Sequence, residues 1–133
     1  MRPLSPETLS LIEEFSEICR NAAKATMNAS IDFDEKSILK IDELISQGWP
    51  AGQVNEKTIQ VWGSFLGQAM CQVLNGTWVE TEADLGIAVG NNVAHPFAKV
   101  EKRFLQGETE SVSQFYLAFK GMQPQRKSKW WPF

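Results

Sequence analysis

The sequence predicts an α+β domain with three N-terminal helices, a small antiparallel sheet of two to three strands and two C-terminal helices. Apolar residues recur at helical spacing up to residue 74, in three runs separated by breaks rich in Asp, Gly and Pro. After Asn75-Gly76 the pattern shortens to alternation, as a strand requires. After His95-Pro96 the helical period returns twice, and a glycine closes each run.

Ser5 is the expected N-cap of the first helix, with Pro6 in the first turn, where its missing N–H would have no partner anyway. Leu11, Phe15, Ile18, Ala22 and Ala25 form its stripe, and Leu9, Ile12, Cys19 and Ala23 widen it, so cover on more than one side is expected. Glu7, Glu13, Glu14 and Glu17 come early and Arg20 and Lys24 late, which suits the helix dipole. Asp34 is the expected cap of a second helix carrying Ile38, Ile41, Leu44 and Ile45 to about Gln47, stopped by Gly48-Trp49-Pro50.

A third helix is expected over 56–74, with Ile59, Trp62, Leu66, Ala69 and Val73 as its main stripe. Gly63, Gly67 and Cys71 make a second, smooth stripe. A glycine inside a helix costs roughly 1 kcal/mol relative to alanine, so two of them imply close approach by a neighbour. The Ala22-Ala23 region of the first helix is the expected neighbour, with a homodimer seam as the alternative. Gly76 is the expected left-handed stop of this helix.

Strands are expected over 77–82 and 85–89, then a turn at 90–92 and a short third strand at 93–95. Pro96 opens a fourth helix bearing Phe97, Val100, Phe104 and Leu105, which Gly107 ends. Thr109 is the expected cap of a fifth, with Val112, Phe115, Tyr116 and Phe119 inside and Gly121 at its close.

The 133 residues suit one domain, expected over 1–121, followed by a basic and aromatic tail at 122–133. A chain of this length buries about two thirds of its unfolded surface, so neither a disulfide nor a metal is required for stability. Cys19 and Cys71 fall in separate helices and read as buried free thiols, which suits a reducing compartment. The first ten residues hold no signal-like apolar run, and no stretch approaches the ~18 apolar residues of a membrane span. A cytoplasmic protein is expected.

Net charge is −3, unevenly spread: Arg126, Lys127 and Lys129 give the tail +3, leaving 10 basic and 16 acidic residues, a net −6, elsewhere. An acidic body does not suit nucleic acid, where neutralised phosphates supply most of the affinity. With two separated cysteines and a single histidine, soft metal ligands are too few for a zinc site. No phosphate-cradling loop or nucleophile motif occurs, so no cofactor, metal or catalytic residue is expected.

Glu80 and Glu82 share one face of the expected strand, with Asp84 beyond, and His95 precedes the fourth helix. Converging in one cleft, these four would support a small hydrolase or a small-molecule site. As a solvated strand edge they would not. Asp32, Asp34 and Glu35 resemble half of a calcium loop but lack its glycine and terminal glutamate, and read as helix-capping acids. Lys99, Lys102, Arg103 and Lys120 make a modest basic patch or an ordinary solvated face. In the tail, three cations precede Trp130, Trp131 and Phe133, a combination that suits a groove, on this protein or a partner, or weak, reversible contact with an anionic membrane.

The order Trp62-Gly63-Ser64-Phe65-Leu66-Gly67, Asn75-Gly76-Thr77-Trp78, then Pro96 ahead of Lys99-Val100-Glu101-Lys102-Arg103 resembles a group of bacterial domains of unknown function, over residues 31–119. In that group a W/F-G-x-x-L-G helix leads to a G-x-W strand and a proline-started segment with a K-R pair. The resemblance implies an α+β domain and an accessory or immunity-like role; it carries over no catalytic residue. The expected function is therefore non-enzymatic binding or regulation through protein–protein contact, with Trp78, Glu80, Glu82, Trp130, Trp131 and Phe133 as the candidate contact surface.

Overall fold

A computed structural model describes residues 1–48 and 54–123, and among them the α+β architecture is as expected. Helix α1 spans Pro6–Met27, α2 Glu35–Gly48 and α3 Glu56–Leu74. Strands β2 (Thr77–Glu80), β3 (Leu85–Val89) and β4 (Asn92–Ala94) follow, then α4 (Pro96–Gln106) and α5 (Val112–Gly121). The sheet has a fourth strand, β1 (Arg2–Pro3), and runs β1-β2-β3-β4, antiparallel throughout. A two-residue strand containing proline leaves no alternation to read, which is why sequence missed it.

Local chemistry sets the element ends. Ser5 Oγ accepts from the Thr8 N–H at 3.2 Å, and Asn55 Oδ1 from the Thr58 N–H at 2.8 Å. Both satisfy a donor that the helix itself leaves unpaired. Asp34 likewise accepts from the Ser37 N–H, which draws its carboxyl below the ordinary range. Two boundaries need correction. The left-handed residue after α3 is Asn75 (φ 57°), not Gly76. The cap of α5 is Ser111, which accepts from the Gln114 N–H, while Thr109 lies in a 3₁₀ turn at Gly107–Glu110.

Helix α3 is the axis of the molecule. Val61, Trp62, Phe65, Leu66, Ala69 and Met70 are buried in the main core, to which α1, α2, α4 and α5 also contribute. A smaller cluster of Ile12, Trp78 and Ile87 lies under the sheet. The glycine stripe is not a helix–helix seam. A Cβ on Gly67 would fall 2.2 Å from the Trp78 ring, and one on Gly63 would fall 2.4 Å from the Phe97 ring. The two rings contact one another at 5.8 Å between centroids. Two aromatics, from β2 and α4, therefore fill the space that the missing side chains leave on α3.

Gly67→Ala separates these readings. Helix propensity alone would make alanine about 1 kcal/mol better, whereas displacing the Trp78 ring should cost about 1–3 kcal/mol. Urea denaturation of the variant is expected to show net destabilisation.

Candidate functional site

The principal cleft, about 1320 Å³, opens along α3. Ile59, Gln60 and Ser64 form its floor, and Leu11 and Phe15 of α1 one wall. Phe97 and Ala98 of α4 with Phe115 and Phe119 of α5 form the other, and Asp84 and His95 close the end beside the sheet. Most of this lining is apolar, and Leu11 at the lip is 52% exposed. One polar atom in the floor stands out. The Ser64 hydroxyl is fully buried and has no hydrogen-bond partner among the described residues, although such a group ordinarily finds one.

A charged joint positions the α4–α5 wall. Arg103 is 4% exposed, and its Nε donates to Asp42 Oδ1 at 2.9 Å. Its Nη2 donates to Ser46 Oγ at 2.8 Å and to the Asp42 carbonyl oxygen at 3.2 Å. The Asp42 carboxylate also accepts from the N–H groups of Val112 and Ser113, both at 2.9 Å, and from the hydroxyls of Ser111 and Ser113, both at 2.7 Å. A side chain of α2 thus caps the N-terminus of α5 while neutralising a buried guanidinium from α4. Burial pushes the Asp42 carboxyl up, but the Ser113 and Val112 N–H groups and the two hydroxyls outweigh it, and its pKa falls from 3.8 to about 2.

At the other end of α2, Glu35 accepts from Lys120 Nζ at 2.6 Å and from the Tyr116 hydroxyl. These two bonds lower the Glu35 carboxyl, while burial and then Glu35 itself raise the Tyr116 phenol. Asp42 and Glu35 of α2 therefore clasp α5 near its two ends, with the helices antiparallel. Lys99 pairs with Glu110 at 2.9 Å and lies 5.8 Å from the Phe115 ring centroid. The expected basic patch is dispersed accordingly: Arg103, Lys99 and Lys120 each serve an internal contact.

The sequence-derived contact surface fares unevenly. Trp78 is inside, 5% exposed, with its ring on Gly67 and its Nε1–H donating to Gln68 Oε1 at 2.7 Å, so it is a packing residue and not a surface one. Glu80 is exposed at the end of β2 and paired with Arg2 at 2.8 Å; Glu82 is exposed in the following turn. Neither borders the cleft. Trp130, Trp131 and Phe133 lie outside the described residues, as do Trp49 and Pro50.

Of the proposed acid–base group only Asp84 and His95 meet at the cleft, and both are engaged by Leu85. Asp84 Oδ1 accepts from the Leu85 N–H at 2.7 Å, and His95 Nδ1 lies 3.3 Å from the Leu85 carbonyl oxygen. A carbonyl can only accept, so Nδ1 is the donor in this contact. Among the described residues, no three His, Cys, Asp or Glu side chains gather as metal ligands would. Cys19 and Cys71 are free thiols, and burial pushes Cys71 up to about 12. No described helix is long and apolar enough to cross a membrane.

Asp42, Ser64 and the cleft itself were not singled out from sequence. No protein-family model, curated protein or solved structure matches the chain.

Two results should follow from the joint. Asp42→Ala leaves Arg103 charged, buried and unpaired, which should cost about 3–5 kcal/mol in urea denaturation. In the native protein the depressed Asp42 carboxyl stabilises the fold above its unfolded pKa, and that contribution is lost as pH falls from about 4 towards about 2. Allowing for solvent screening, the loss should be about 1–2 kcal/mol, and Asp42→Asn should flatten that part of the stability profile.

Proposed function

We propose that this protein is a non-enzymatic binding module that acts by receiving an apolar, aromatic-bearing segment of a partner protein in the cleft along α3. The observation that carries this reading is the lining itself: an open, mostly apolar trough whose α4–α5 wall is held by the Arg103–Asp42, Lys120–Glu35 and Lys99–Glu110 pairs. At about 1320 Å³ it exceeds the ~300–1,000 Å³ of sites that enclose a drug-sized ligand. A peptide segment, entering along the trough, suits it better than a small molecule. An accessory or immunity-like role, implied by the resemblance to bacterial domains of unknown function, belongs to the same proposal.

The test is selection of random peptides on the full chain with Trp130, Trp131 and Phe133 changed to Ala, so that the protein supplies none of those rings itself. Recovered peptides should be rich in Trp and Phe. Leu11→Arg at the cleft lip should weaken their binding at least about tenfold, a loss of about 1.4 kcal/mol. Leu39→Arg, at an exposed leucine of α2 away from the cleft, should leave it unchanged. Equal effects of the two substitutions would place recognition elsewhere.

A further inference from the structure

We propose that the first occupant of the cleft is the chain's own C-terminal segment, residues 124–133, whose Trp130, Trp131 and Phe133 enter the trough in the same molecule and must leave before a partner segment can bind. This rests on the cleft being a receiving site for aromatics, and it adds that the site is self-occupied.

Three independent observations support it. The first is position. The described chain ends at Gln123, immediately after Met122, which lines the cleft and is 61% exposed. Gln123 is anchored there, with its Nε2 donating to the Phe119 carbonyl oxygen at 2.7 Å and its Oε1 3.5 Å from Asn92 Nδ2. The remaining ten residues therefore leave from the rim of the cleft.

The second is reach. Trp130 lies seven positions beyond Gln123, a stretch that spans at most about 23–25 Å when extended. The floor between Glu56 and Ser64 measures only about 12 Å at the helical rise. The segment is long enough to lay its rings along the floor without strain.

The third is chemical fit. The segment carries Arg126, Lys127 and Lys129 and no acid, whereas the rest of the chain is net −6; Glu56, Asp84 and Glu101 border the cleft together with Lys99 and Lys102, and Lys99 is already paired with Glu110. Cations would pair at the rim while the aromatics enter the apolar floor.

Self-occupancy has a measurable effect. A tether of this length holds its end at a local concentration in about the millimolar range, so even a weak contact competes effectively with a free peptide. The probe is a fluorescein-labelled synthetic peptide of residues 124–133, read by anisotropy against two full-length proteins. One is native; the other carries Trp130→Ala, Trp131→Ala and Phe133→Ala.

The substituted protein should bind the peptide at least about tenfold more tightly than the native one, and adding Leu11→Arg to it should abolish the gain. Circular dichroism of each protein verifies that the fold is intact. Equal binding by both proteins, or binding by neither, overturns self-occupancy. So does a native protein that sediments as a dimer and becomes monomeric on removal of the three aromatics, because the occupant would then be a second copy. If neither protein binds this peptide while the substituted protein still binds library-selected peptides at the cleft, only the self-occupancy fails and the receiving site stands.

Discussion

The fold depends on one buried charge being neutralised correctly. Arg103 lies inside the molecule, where an unpaired guanidinium would be too costly to keep. Asp42 meets it, and the same carboxylate accepts the first N–H groups of α5, which a helix cannot satisfy internally. Helix α2 is thereby fixed to α4 and α5, more than 45 residues further along the chain, at one point. Because α4 and α5 carry Phe97, Phe115 and Phe119, this joint also fixes one wall of the cleft.

The opposite wall is fixed by packing and not by charge. Helix α1 packs most extensively on α3, and the floor of the cleft is the strip of α3 left between α1 and the α4–α5 pair. At the sheet end, the Trp78 and Phe97 rings fill the depressions at Gly67 and Gly63, which binds β2 and the start of α4 to the same helix. The cleft thus lies between two differently anchored bodies on a common axis. Such an arrangement fixes the two walls of the trough independently of one another.

The elements were legible wherever a cap or a period was local. Ser5 and Pro96 mark helix starts within one turn, and β3 falls over the expected residues. Misreadings occurred where one residue type serves two purposes. Gly76 was read as a left-handed stop, yet Asn75 takes that conformation, and Gly76 is there because a Cβ would lie 2.6 Å from Ile87. The glycine stripe correctly signalled close approach but not its agent, since helix packing and an inserted aromatic ring leave the same trace. Asp42 reads as one polar residue on an amphipathic helix, because its partners lie 61 to 71 residues away. The cleft draws on four helices and the sheet edge, so no single segment announces it. The Trp78 alternation was visible, but which face of the strand would meet α3 was not.

The central claim is that the trough along α3 accepts aromatic side chains, beginning with the chain's own. The most direct measurement is of nuclear Overhauser contacts to the Leu11 and Ile59 methyl groups in full-length, isotopically labelled protein. The account predicts contacts from the ring protons of Trp130, Trp131 or Phe133, arising within one molecule and persisting on dilution. Methyl groups that register only the neighbouring side chains of α1, α3, α4 and α5 would contradict it.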